Sequence, residues 1–312
     1  MSDRRRVNGP AGTTSPPVFV TSSQIVEAEK KRLRGHNELR KIFLQTGVVP
    51  SASGSAYLEL ESQPVQPTLV SLSSTIKLSC SVQGPKPLPR TASFSPNLQL
   101  NASVKFAPFA TRNRQGYIRD STEKDLGLHL QNALKGVVIP DRWPKSSLDI
   151  AVTVLEGEDD QETGDRISGL GLFNMLAGCI NVAMAALADA RVDCLDLLAA
   201  GVGSVVVSGA DEKPVKVLDP AAVEHTKVLS SCLVGYLPTR DEIVELWCSD
   251  SGLAQAKGVP GSGFDEMVDG AVAAARGAQA VLKEVLMEAM MQSQIATKKL
   301  TGQSAKEVEM TG

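Results

Sequence analysis

The chain has 312 residues, 42% of them hydrophobic, enough to bury a sizeable core in one large domain or two modest ones. Its formal net charge of -3 argues against a protein that coats nucleic acid through bulk positive charge, while leaving local basic grooves open. The five cysteines, Cys80, Cys179, Cys194, Cys232 and Cys248, have neither CxxC nor Cys/His ligand spacing and read as buried thiols in a reducing compartment, so neither a zinc site nor a disulfide framework is expected.

Residues 1–30 open with a Ser/Pro/Thr/Gly/Arg mixture lacking apolar periodicity, expected to be a disordered tail that ends in a basic arm. The run "EKKRLRGHNELRK", with Lys30, Lys31, Arg32 and Arg34, reads as solvated in preference to a nuclear-import signal. "GSAYLELES" and "STIKLSCSVQGP" alternate with the period of strands, and the second ends at the turn pair Gly84-Pro85. "LQLNASVKFAPF" continues the β-rich stretch. The first clear helix is "DSTEKDLGLHLQNALKG": Asp120 caps it, Glu123 stands three residues on, Leu126, Leu130 and Leu134 recur every four, and Gly136 closes it.

"SLDIAVTVLEG" is a strand with Leu148, Ile150, Val152 and Val154 on one face. The acidic loop "EGEDDQETGD" reads as solvated surface, because its carboxylates lack regular metal-ligand spacing. The uncharged run from Ile167 to Ala188 is diluted by Asn174, Asn181 and alanine, so a buried core helix is expected and not a membrane span. Four more strand patterns follow, "GSVVVSG", "VKVL", "KVLSSCLVGYL" and "EIVELWC". An alanine-rich helix from Phe264 to about Thr297 ends the domain, with Asp265 and Glu266 in its first turn and Lys298 and Lys299 past its end, as the helix dipole favours. The order of elements predicts an α+β fold, two β-sheet/helix halves forming one domain over residues 31–296, with a flexible tail over 297–312.

Several stretches together resemble the RNase PH family, above all the RNase PH-like ring subunits of the eukaryotic RNA exosome. They are "RGHNELR", "TGVVPSASGSAYLEL", "VQGP", "FAPFATRNR", "WPKSSLDIAVTVLEGE", "AGCINVAMAALADA" and "IVELW", in the family's order from about residue 31 to 296. The resemblance implies an RNase PH-like fold, a six-membered ring with a central channel, and two sites inherited from enzymes that phosphorolyse RNA from its 3′ end. One site holds phosphate on a Gly-Gly-Thr-Arg-like turn at the start of the central helix, using backbone amides and a guanidinium. Matched to it, this chain has Phe173, Asn174, Met175 and Leu176, so the arginine position is apolar. The other is a pair of aspartates, six residues apart, whose matched positions here are His225 and Ser231.

On this resemblance the chain is a non-catalytic ring subunit with no cofactor and no metal. It supports 3′-to-5′ RNA processing and degradation in the nucleus, nucleolus and cytoplasm. Its implied partners are paralogous RNase PH-like subunits, a cap subunit and RNA in the channel, with no membrane. Lys86, Arg90, Arg112 and Arg114 are the RNA-contact candidates, because they fall in segments that line the RNA path in relatives. The rivals are an active phosphorolytic exoribonuclease using Glu224 and a stand-alone RNA-binding adaptor. Asp219, His225 and Ser231 also have the residue types of a hydrolase triad, but Ser231 lies inside a predicted strand and not on a strained nucleophile turn.

Overall fold

A computed structural model of the chain describes residues 32, 34–60, 76–89, 94–111, 114, 116, 118, 120–158, 169–208, 213–222, 224–225, 228–250 and 262–310. Strands β1 (Ile42–Thr46), β2 (Gly54–Leu60), β3 (Ile76–Pro87), β4 (Gln99–Phe106) and β5 (Ser146–Glu156) form one sheet in the order β1-β2-β3-β5-β4. Every pairing is antiparallel except β4 with β5, which are joined through helix α1 (Ser121–Lys135). A parallel pair needs such a crossover, and α1 covers the β4 side of the sheet. Alternation puts Ile76, Leu78, Cys80 and Val82 of β3 beside Leu148, Ile150, Val152 and Val154 of β5 in one buried layer.

The second sheet is antiparallel throughout, β7-β6-β8-β9, from β6 (Ala199–Ser208), β7 (Lys213–Leu218), β8 (Val228–Leu237) and β9 (Glu242–Asp250). Helix α2 (Leu170–Asp189) lies between the two sheets and touches β2, β3, β6 and β8. It is long and apolar enough to cross a membrane by length and composition, yet 94% of its apolar window is buried inside the protein. Helix α3 (Ser262–Met310) packs on the opposite face of the second sheet. Strand β8 is therefore buried on both sides. Leu233 and Leu237 join the core shared with α2, while Cys232, Val234 and Tyr236 join a second cluster with Met267, Ala271 and Ala275 of α3.

The α+β reading and its strand–helix order hold, with differences that have local causes. Strand β1 was not among the expected elements; it pairs with β2 as an edge strand, and its five residues are too few for a distinct pattern. Gly136 does close α1, but in a right-handed conformation, φ -72°. What requires glycine there is space: a Cβ would lie 2.5 Å from Cγ1 of Val244. Helix α3 continues to Met310 past the expected end at Thr297, since the following residues include no proline to stop it. Cys80, Cys179 and Cys232 are buried as expected, whereas Cys194 is half-buried and Cys248 is exposed on the edge strand β9.

Candidate functional site

The seam between the sheets brings the start of α2, the loop after β7 and the segment before β1 together. Asn174, one turn into α2, is buried; its Nδ2 donates to Oε2 of Glu158 and to the carbonyl of Pro220, both at 2.8 Å. Glu158, just past β5, is fully buried, and its Oε1 accepts the Ala222 amide at 2.7 Å. Arg40 lies between Glu158 and Asp219. Its Nη1 approaches Glu158 Oε2 at 3.5 Å, while its Nε and Nη2 donate to Asp219 Oδ1 at 3.0 and 2.6 Å. The Arg40 amide adds a bond to Asp219 Oδ2 at 2.9 Å.

Two further arginines complete the group. Arg34 Nη2 donates to both oxygens of Glu224, at 2.7 and 2.9 Å, and to the Asp219 carbonyl at 3.2 Å. Arg32 Nη1 donates to Glu224 Oε2 at 3.1 Å, and its Nη2 reaches the carbonyls of Gly35, Glu38 and Leu218. Among the described residues, three guanidinium charges thus face three carboxylates, Asp219, Glu224 and Glu158, and these six charges balance. Burial by itself would lower the pKa of Arg40, but the charges of Asp219 and Glu158 overcome it and the net shift is upward. For Asp219, burial pushes upward, but the charge and hydrogen bonds of Arg40 hold it below the usual carboxylate range.

These positions correct two expectations. Arg32 and Arg34 are not part of a solvated arm: their side chains are 4% and 6% exposed. Glu158 is not solvated loop surface either, and the rest of that loop, 159–165, lies outside the described residues. Glu224 sits in a turn after Asp219, and its Oε2 accepts the Ala221 amide at 3.2 Å.

Leu176 is fully buried in the body of α2, which begins at Leu170, three residues before the matched turn. From Phe173 onward the backbone amides belong to the helix's own ladder and are not presented to an anion. Ser231 is buried on β8, directly opposite Ser204 of β6, with the two hydroxyl oxygens 2.9 Å apart. His225 is largely buried, and burial pushes its pKa down to about 4, so the ring is neutral at pH 7. Its Nε2, Asn174 Oδ1, and Arg34 Nε and Nη1 are the buried side-chain polar atoms without a hydrogen-bond partner among the described residues. No hydrolase triad assembles. The Asp219 carboxylate is committed to Arg40, and Ser231 faces Ser204.

Of the RNA-contact candidates, Lys86 is half exposed at the end of β3 and paired with Asp149 of β5, whose carboxyl this contact lowers. Arg114 is exposed, while Arg90 and Arg112 lie outside the described residues. No group of three or more His, Cys, Asp or Glu side chains is placed to hold a metal ion among the described residues.

Two sheets flanking a buried central helix, with a polar seam at the start of that helix, define an RNase PH-like fold. The chain belongs to the 3′ exoribonuclease family: the model of that family's domain 1 (RNase PH) matches residues 38–193. Among curated proteins it is 48% identical to the exosome complex component MTR3 of Chaetomium thermophilum, over 92% of this chain and 99% of that protein. Identity to the Schizosaccharomyces pombe component mtr3 is 31%, over 81% of this chain and 88% of that one. For the Homo sapiens MTR3 component it is 27%, over 80% and 84%. Among solved structures, rice Rrp46 superposes with a TM-score of 0.57 at 18% identity, covering 81% of this chain and 98% of that one. A chain of the Archaeoglobus fulgidus exosome with RNA bound to the active site superposes at 0.58 with 16% identity, covering 83% and 96%.

Proposed function

We propose that this chain is a structural subunit of the exosome ring and has no phosphorolytic activity of its own. The carrying observation is the charge-neutral arginine–carboxylate cluster. Asp219, Glu224 and Glu158 are each bound by arginines of the same chain, which leaves none of them to place a metal or move a proton for an incoming phosphodiester. Leu176 stands where the resemblance asks for a phosphate-holding arginine, and an apolar buried side chain can neither donate to nor neutralise an anion. The similarity to MTR3 components over nearly the whole chain supports the same reading.

In this role the chain pairs with paralogous RNase PH-like subunits, meets a cap subunit and forms part of the RNA channel in nuclear and cytoplasmic exosomes. Lys86, Arg90, Arg112 and Arg114 are its candidates for touching the RNA backbone. An active exoribonuclease using Glu224 is disfavoured, because that carboxylate is already shared by Arg32 and Arg34.

The test takes the purified chain with single-stranded RNA, inorganic phosphate and Mg²⁺, then repeats the assay after mixing with RNase PH-like subunits. No nucleoside diphosphates are expected from the chain alone, and co-elution with those subunits on a sizing column is expected. Phosphate-dependent release that survives repurification would overturn the inactive reading. A chain that stays monomeric in the mixture would favour the stand-alone adaptor.

A further inference from the structure

Cys232 and Cys248 are directly opposed residues of the neighbouring antiparallel strands β8 and β9, and their Sγ atoms are 3.1 Å apart. Directly opposed antiparallel residues have Cα atoms roughly 4.5 or 5.5 Å apart, according to the hydrogen-bonding class of the pair. Both spacings fall inside the span that a disulfide bridges, about 4.4–6.8 Å. The two thiols differ in access. Cys232 belongs to the cluster buried under α3, whereas Cys248 is exposed on the sheet's outer strand. We propose that Cys232 and Cys248 form a reversible redox site, in which a small-molecule disulfide of the glutathione class oxidises the pair to a disulfide tying β9 to β8.

The geometry dictates the order of events. Of the two, only Cys248 is open to solvent, so its thiolate attacks one sulfur of oxidised glutathione, forms a mixed disulfide and releases one glutathione thiol. Cys232 then attacks the Cys248 sulfur from 3.1 Å. The Cys248–glutathione bond breaks, and the departing glutathione sulfur takes the proton that Cys232 carried. The pair loses two electrons and two protons in all, and one glutathione disulfide becomes two thiols. Burial and the neighbouring Cys248 both push the Cys232 thiol's pKa upward, which makes this second step the slow one. Cys80 and Cys179 are fully buried and burial raises their pKa values too, while burial pushes the half-buried Cys194 up to about 11, so the reaction is directed to the β8–β9 pair.

The experiment exposes the folded full-length chain to oxidised glutathione and then counts free thiols after denaturation. The five thiols of the untreated chain should fall to three, and peptide mapping should find residues 232 and 248 linked. Dithiothreitol should restore all five. Cys248→Ser should abolish the linked peptide, and Cys232→Ala should halt the reaction at a glutathione adduct on Cys248. A wild-type chain that accumulates that adduct and forms no linked peptide would overturn the proposal. Bonds solely between Cys248 residues of two chains would overturn it as well. Because Cys248 is exposed, Cys248→Ser leaves the core intact, and its fold can be checked by circular dichroism.

Discussion

Asp219 has a left-handed backbone, φ 44°, a conformation that a residue with a Cβ adopts only when its surroundings hold it there. Arg40 supplies that hold, through its amide and two guanidinium nitrogens. Removing the cation takes away the counter-charge shared by the buried Glu158 and the half-buried Asp219. Arg40→Met, similar in length and apolar, should therefore cost roughly 3–5 kcal/mol in urea unfolding. The half-exposed pair Lys77–Glu156 is the contrast, and Lys77→Met should change stability by less than about 1 kcal/mol. The neighbouring His225 gives the same cluster a pH signature. Its folded pKa is depressed to about 4 from 6.5, so between these values the unfolded chain binds a proton that the folded one refuses. Stability should fall as pH drops from about 6.5 to 4, by an amount on the order of 2 kcal/mol after allowing for the ring's partial exposure. His225→Asn should flatten melting temperature against pH across that window, and an unchanged slope would place the titration elsewhere. Little of this cluster was legible in sequence. Arg40 and Asp219 are 179 residues apart and Arg34 and Glu224 are 190 apart, so no local spacing marks them as partners. Arg32 in a basic run and Glu158 in an acidic one look like solvated charge until the fold pairs them.

Elements with local signals were readable, and those defined by their neighbours were not. Helix α1 carries its own start signal. Asp120 caps it, and Glu123 reaches back to the Asp120 amide at 3.1 Å while its other oxygen takes the Phe106 amide at 2.8 Å. Strand β8 shows no alternation because α2 and α3 bury its two faces, and its serines and cysteine could be mistaken for chemistry on that account. Helix α2 begins at Leu170, inside the apolar run read from Ile167, and no capping side chain marks its start; the N-cap is Gly169, without a side-chain bond. Contacts between elements leave the weakest trace in sequence. Helix α3 lies so close to β6 that a Cβ on Gly201 would stand 2.5 Å from the Ala271 carbonyl oxygen and 2.7 Å from the Ala274 carbonyl carbon. Both are backbone atoms and cannot rotate away. Gly201→Ala should therefore push the helix off the sheet and cost about 3 kcal/mol or more, read by chemical denaturation. Gly116, with open space around its Cβ direction, should accept alanine within about 0.5 kcal/mol.

At the scale of the whole molecule, the fold joins two sheets through one central helix, and the seam at the start of that helix is filled by charges that offset one another. On the proposed role, contact with RNA falls to charge displayed away from that seam. The resemblance in sequence pointed to Lys86, Arg90, Arg112 and Arg114 as a set, but pairing across β3 and β5 sets Lys86 apart from Arg114. Lys86 already has Asp149 as its counter-charge, whereas Arg114 is exposed. A cation that is already neutralised displaces few counterions when it meets a phosphate, so the two residues should differ in the salt dependence of binding. In a reconstituted ring, Arg114→Ala should flatten the slope of log affinity against log salt by about 0.7, the contribution of one phosphate contact on a single strand. Lys86→Ala should change it by less than half as much. Asp149→Ala should act in the opposite direction, steepening the slope by up to about 0.7 as Lys86 becomes free to face the backbone. Binding would be measured by fluorescence anisotropy from low to moderate salt with two RNAs of unrelated sequence, because contacts to phosphate carry no base preference. If all three variants keep the wild-type slope while the ring assembles normally, neither loop lies on the RNA path and the subunit contributes walls alone.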